Sequence, residues 1–209
     1  SLRRKGLQLP EEGNPRSREL ARQLAAQYGD PRAIAQAMLT MFREQPFVYT
    51  LDPPKLAENA MDEFLFETRR GFCEHYASAY TLVMRAAGVP ARVVTGYQGG
   101  AFNPIGGYLL VRQSDAHAWS EIWVEGRGWL RVDPTAAVAP ERIERNLSGA
   151  LGADEPAAGR LRESSPLWLQ VELTWDTVND FWNERVVRFN AARQMSLLEQ
   201  LGFEDPDWR

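Results

Sequence analysis

"RRGFCEHYASAYTLVMRAAGVPARVVTGY" runs from Arg69 to Tyr97, and its period changes partway along. After Cys73, the residues Tyr76, Ala77, Tyr80, Val83, Met84 and Ala87 recur three or four positions apart, which is the spacing of one buried helix face. Gly88 and then Pro90 stop that helix. "ARVVTGY", from Ala91 to Tyr97, is rich in β-branched residues and reads as a strand. Cys73 opens the helix and is the only cysteine in 209 residues. His75, two positions on, is one of only two histidines.

Working outward toward the N-terminus, "NPRSRELARQLAAQYGDPRAIAQAMLTMFREQPF" reads as two helices within residues 15–46. Gly29 can close the first, and Pro31 fits the start of the second. "FVYTLDPP" is extended and ends at two prolines, and "NAMDEFLFET" reads as a short helix. Toward the C-terminus, "GYLLVRQS", "AHAWSEIWVE" and "GWLRVDPT" are strand-like. Residues 136–165 are rich in Ala, Gly, Pro, Glu and Arg and read as a long surface loop. Trp168, Trp175, Trp182 and Phe189 then recur at intervals of seven, as in an amphipathic helix over 166–201. A helical half followed by a stranded half predicts an α+β fold. It has N-terminal helices, a buried helix starting at the cysteine, an antiparallel β-sheet and a C-terminal amphipathic helix, in one domain over 1–209.

The bulk properties exclude several function classes. The net charge is −4, which argues against a broad nucleic-acid footprint. One cysteine allows neither an intrachain disulfide nor a cysteine-based zinc site, and two histidines leave little for a histidine-rich metal site. No apolar run reaches the ~18 residues of a membrane span, and no signal peptide is visible. The chain opens "SLRRKG" without Met, so flanking segments are expected beyond it.

A helix start favours thiolate over thiol, because its N-terminal end carries partial positive charge and unpaired N–H groups. Gly71 allows a tight turn and is expected to leave space beside the sulfur. Cys73 is therefore expected in a cleft, partly exposed. His75 cannot serve as its base, because residues two apart on a helix point roughly 200° apart. His117, in "SDAHAWSEIW", is the remaining histidine, and one imidazole can act as both base and acid. Asp133, in "WLRVDPT", is the candidate carboxylate to orient it. Trp119 shares the strand face of His117 and is a candidate to shield it or to line the substrate cleft. The Gly-rich "YQGGAFNPIGG" arrives beside the histidine strand and adds Tyr97, Gln98 and Gly99 as cleft candidates.

"RRGFCEHYASAYTLVMRAAGVPARVVTGY" together with "DAHAWSEIWVEGRGWLRVDPT" resembles the transglutaminase-like superfamily of papain-type cysteine enzymes over about residues 68–135. The resemblance implies Cys73 as nucleophile, His117 as acid and base, and Asp133 as its orienting carboxylate. It implies acyl transfer on amide substrates through a thioester, of the protein-glutamine gamma-glutamyltransferase type. The substrate would be a protein or peptide amide, and the acceptor an amine or water. A protease or peptide amidase using the same triad, or a silent scaffold, remain the alternatives. The Cys73 N–H is one expected oxyanion donor, and Gln45 or a tryptophan the second. No D-x-D-x-D-G loop appears, so no metal or cofactor is expected, unlike the calcium-activated animal relatives. "PFVYTLDPP" and "WNERVVRFNAARQMSLLEQLGF" further resemble membrane-anchored bacterial proteins of the TgpA type. That implies a periplasmic or extracytoplasmic domain of an inner-membrane protein, tethered by segments absent from this chain.

The triad sets a condition on the hairpin "VEGRGW", Val124 to Trp129, because strand side chains alternate faces. A two-residue loop pairing Glu125 with Gly128 would place Asp133 opposite Ser120, on the wrong face. A five-residue connection from Val124 to Gly128, pairing Trp123 with Trp129, places Asp133 opposite Trp119, on the face of His117. An odd-length connection or a bulge is therefore expected, with a His117–Asp133 hydrogen bond as its result.

Overall fold

The computed structural model describes residues 2–140 together with 174, 175, 177 and 178. The chain divides into two compact units, Ser1–Ala101 with Val111–Glu155, and Phe102–Leu110 with Pro156–Arg209.

The first unit begins with a short helix α1 (Leu2–Lys5), then α2 (Pro15–Tyr28) and α3 (Pro31–Glu44). Proline opens both longer helices, where its missing N–H costs nothing. Gly29 closes α2 at φ 65, and Asp30 caps α3 by accepting from the Ala33 N–H. A short helix α4 (Ala60–Glu63) follows the two-residue strand β1 (Val48–Tyr49). The starts of α2 and α4 satisfy each other. Asn14 Oδ1 accepts from Met61 and Asp62 N–H, while the buried Asp62 carboxylate accepts from Arg16 and Ser17 N–H. Four orphan helix-start donors are thus paired across about 45 residues of chain, which locks the N-terminal layer in register.

From α4 the chain passes through one π-helical turn, Phe64–Thr68, ended by Arg69 at φ 51. The strand β2 (Arg70–Gly71) pairs in parallel with β1, placing Tyr49 beside Gly71. The helix α5 (Cys73–Ala86) starts two residues later. Tyr76, Ala77, Tyr80, Val83 and Met84 on α5 have no solvent exposure, as their helical spacing predicted. Tyr76, Tyr80, Val83 and Met84 pack with Phe42, Phe47 and Phe64; the ring of Tyr76 meets Phe64 edge-on at 5.0 Å.

The sheet has the order β3–β6–β7 and is antiparallel throughout, with β3 at Ala91–Tyr97, β6 at Ala116–Val124 and β7 at Gly128–Val132. Small residues bring α5 close to β6. The Ser120 hydroxyl donates to the Ala77 carbonyl at 3.0 Å and lies 3.1 Å from the Thr81 hydroxyl.

A 3-10 turn at Pro134–Ala137 follows β7, and Ala139 beyond it is buried. The expected loop therefore does not begin at 136, because Ala137, Val138 and Ala139 are apolar and pack onto the core. Residues 141–165 of that loop lie outside the described residues, as does most of the expected helix over 166–201. Within the second unit, Thr174, Trp175, Thr177 and Val178 are helical, with Trp175 and Val178 exposed. Strand β5 (Tyr108–Leu110) of that unit forms a hairpin with β4 (Ala101–Asn103). The buried Asn103 holds its turn by accepting from Ile105 and Gly106 N–H.

Candidate active site

The site is built where the start of α5 meets the start of β6. Phe72 precedes the helix in extended conformation, so Cys73 is the first helical residue. The N–H groups of a first turn have no intrahelical acceptor, and they surround the sulfur with positive potential. Cys73 packs with Ala77, Ala118 and Phe72 and is only 7% exposed. The expectation of a partly exposed thiol is corrected accordingly: these close neighbours cover it. One side of it still lines a cleft of about 240 Å³.

The second correction concerns Gly71. A Cβ there would lie 2.7 Å from Cβ and Cγ of His75, so the space it leaves is filled by that imidazole and not by the sulfur's surroundings. His75 Nδ1 accepts from the Phe72 N–H at 3.4 Å, and its ring packs on Phe64 and Phe72. Burial pushes the His75 pKa down despite the nearby Glu74, which keeps the ring neutral and able to accept. His75 is thus a cap for α5, turned away from the chemistry, as the helical offset from Cys73 required.

His117 lies on β6 opposite Gly96 of β3, with its side chain fully buried. The β6–β7 register pairs Trp123 with Trp129 and closes with Val124 opposite Gly128. The connection is therefore odd, as expected, but three residues long, Glu125–Arg127, and not five, because Val124 and Gly128 also pair; Gly126 is at φ 74 and Gly128 at φ 81. Continuing that register brings Asp133 opposite Trp119, on the face of His117. His117 Nε2 and Asp133 Oδ2 are 2.7 Å apart. Asp133 Oδ1 accepts from the Thr135 N–H, capping the 3-10 turn that Pro134 opens, and this fixes the carboxylate.

With Nε2–H donating to Asp133, the neutral ring presents Nδ1 as its lone-pair nitrogen. Nδ1 is buried and, among the described residues, bonds to no nitrogen or oxygen. Burial alone would lower the His117 pKa, but the Asp133 carboxylate and the Cys73 side chain outweigh it, and the pKa is raised. Cys73 and His117 thus line one cleft, and Asp133 holds the far nitrogen of the imidazole.

The cleft is lined by Tyr49, Leu51, Phe72, Cys73, Glu74, Thr95, Gly96, Gln113, Ser114, Ala116, His117 and Ala118. None of the four cleft candidates is among them. Trp119 stacks on His117 at 6.3 Å and 22°, over the space that Gly96 leaves beside it, and so backs the imidazole instead of lining the cleft. Tyr97 is 58% exposed, Gln98 turns to Arg131, and Gly99 is exposed beyond the end of β3. Gln45 caps the end of α3, is exposed, and does not line the cleft either. Sequence reading missed Tyr49 and Leu51. Their signal was the extended "FVYTL" before two prolines, which pairs beside Gly71. Among the described residues, no group of three or more His, Cys, Asp or Glu could hold a metal ion, and no helix is long and apolar enough to cross a membrane.

Comparison with known proteins follows the same core. The family model described as Transglutaminase-like superfamily matches residues 14–134. A protein-glutamine gamma-glutamyltransferase of Pseudomonas aeruginosa is 48% identical over 97% of this chain and 31% of its own length. The uncharacterised protein YebA of Bacillus subtilis is 33% identical over 62% of this chain and 18% of its own length. The chain thus spans less than a third of these relatives. The crystal structure of the periplasmic domain of TgpA from Pseudomonas aeruginosa superposes with a TM-score of 0.70 at 57% identity, covering 72% of this chain and 52% of that one.

Proposed function

Because this chain belongs to the transglutaminase-like superfamily, we propose that it is a cysteine acyltransferase acting on side-chain amides of protein glutamine. The observation that carries the reading is the 2.7 Å contact of His117 Nε2 with Asp133 Oδ2, beside a cleft that Cys73 and His117 both line. The relative named protein-glutamine gamma-glutamyltransferase supports the choice of glutamine amides.

In this mechanism Nδ1 of His117 takes the Cys73 proton, and Asp133 stabilises the imidazolium through Nε2–H. The thiolate attacks the amide carbonyl, and negative charge develops on its oxygen. The Cys73 N–H, at the first helical position, is a donor for that oxyanion. Collapse breaks the C–N bond, the imidazolium gives its proton to the departing nitrogen, and ammonia leaves a thioester on Cys73. A primary amine then attacks the thioester while His117 accepts its proton, forming the new amide and freeing the thiol. Water in place of the amine gives glutamate. The buried His117 ring and the packing of Phe72 and Ala118 around Cys73 limit water, which favours the amine. By analogy with the TgpA domain it resembles, the chain works in the periplasm, tethered to the inner membrane by segments outside it.

The test is incorporation of a tagged primary amine into a glutamine-rich protein, with ammonia release measured in parallel. Amine incorporation that is lost in Cys73→Ala and falls on the order of a hundredfold or more in Asp133→Asn supports the reading. Ammonia release without amine incorporation would make it a hydrolase. Incorporation retained by Cys73→Ala would overturn the reading.

A further inference from the structure

Arg131 has no part in the steps above, yet it reaches both Asp133 and Trp119, which hold His117. It lies on β7 two residues before Asp133 and so shares its face. Its Nη2 donates to Gln98 Oε1 at 2.7 Å and more weakly to Asp133 Oδ2 at 3.4 Å. That oxygen is the one that His117 Nε2–H already uses at 2.7 Å. The guanidinium also sits 4.3 Å from the centre of the Trp119 ring, which itself stacks on His117. Arginine suits this place because a planar fork can bond two acceptors and stack on an indole together.

We propose that Arg131 is a positioning residue that clamps Asp133 and Trp119 around His117 and, by sharing Asp133 Oδ2, keeps the imidazolium ready to give up its proton. The consequence for turnover rests on the acyl-transfer reading; the effect on His117 itself does not.

Magnitudes favour this role over a merely structural one. Arg131 is 48% exposed and its contact with Asp133 is long, so the ion pair adds little to stability. A shared carboxylate oxygen is different: each donor draws on the same negative charge, and removing one leaves the other more tightly held. Among the described residues, the charged and titratable groups around His117 are Tyr49, Cys73 and Glu74, which line the same cleft, and Asp133, which meets Nε2 and has Arg131 on the same oxygen. Arg131 is the cation in that set. Without it, the imidazolium is overstabilised and becomes a poorer acid toward the departing nitrogen.

The test uses the His75→Gln background, in which His117 is the only imidazole, and follows its ring protons by NMR across pH. Replacing Arg131 by Met should raise the proton affinity of His117 by about threefold, the effect of removing one partly screened like charge. Arg131→Lys, which restores the charge without the fork, should bring the midpoint part of the way back. If Arg131→Met does not fold, Arg131→Gln keeps a polar side chain and carries the same expectation. Midpoints unchanged in the neutral variants would overturn the proposal. So would a Lys variant shifted as far as the neutral ones, since that would leave charge without effect. This titration involves no acyl transfer, so its outcome and that of the amine-incorporation test are separate.

Discussion

Trp123 lies directly opposite Trp129 across the β6–β7 hairpin, with ring centres 5.7 Å apart and nearly perpendicular. That pairing decides which face Asp133 occupies four residues later. Shift it by one, and the carboxylate leaves His117 for the other side of the sheet.

The first prediction separates loop from strand. One alanine inserted between Gly126 and Arg127 lengthens the connection but leaves Trp123 opposite Trp129, and turnover should be largely kept. One alanine inserted between Leu130 and Arg131 should remove the His117–Asp133 bond and reduce turnover by on the order of a hundredfold. Circular dichroism should show both variants folded. Equal activity in the two would break the link between register and chemistry.

The second prediction concerns Gly71. Its missing Cβ is the space that the imidazole of His75 fills. Gly71→Ala should cost about 1–3 kcal/mol by overpacking, read from urea unfolding. Adding His75→Ala should recover much of that loss, because the two residues share one space. Additive losses in the double variant would contradict the packing described for the start of α5.

Much of this was legible from the sequence. The change of period in 69–97 predicted α5 and β3. Alternation along the β6–β7 strands left two faces open for Asp133, and the triad that the family resemblance implies selected the one that needs an odd connection. The lining of the cleft was not legible. Tyr49 reaches it through the parallel pairing of β1 with β2, two residues each, Leu51 lies two residues beyond that pairing, and Gln113 and Ser114 come from a 3-10 turn. Segments that short carry no period to read. The Gly-rich stretch misled for a related reason. It lies next to the histidine strand in the chain, but Gln98 turns its side chain toward Arg131, a contact that only the folded sheet creates. The role of Gly71 was half legible: glycine signals a close approach without saying which neighbour makes it.

The third prediction is a pair of opposite pH effects. Burial lowers the His75 pKa below its ordinary 6.5, so its contribution to stability is present above about pH 6.5 and is lost as pH falls through the folded value. For His117, burial is outweighed by Asp133 and Cys73, and the pKa lies above 6.5. Its contribution is full below about pH 6.5 and is lost as pH rises through the folded value. Urea midpoints followed from pH 5 to 9 should therefore respond oppositely. His75→Gln, which can still cap α5, should flatten the acid side, and His117→Gln the neutral-to-alkaline side. Changes on the same side for both variants would contradict the environments described.

The most direct test of the central claim is the intact mass of the protein, quenched in acid within the first turnovers with a glutamine-bearing peptide and no amine. A covalent adduct should form on Cys73, with the mass of the peptide less one ammonia. A primary amine should discharge it, and it should be absent from Cys73→Ala. Ammonia released in the first turnovers with no adduct on Cys73, or release that continues in Cys73→Ala, would contradict it.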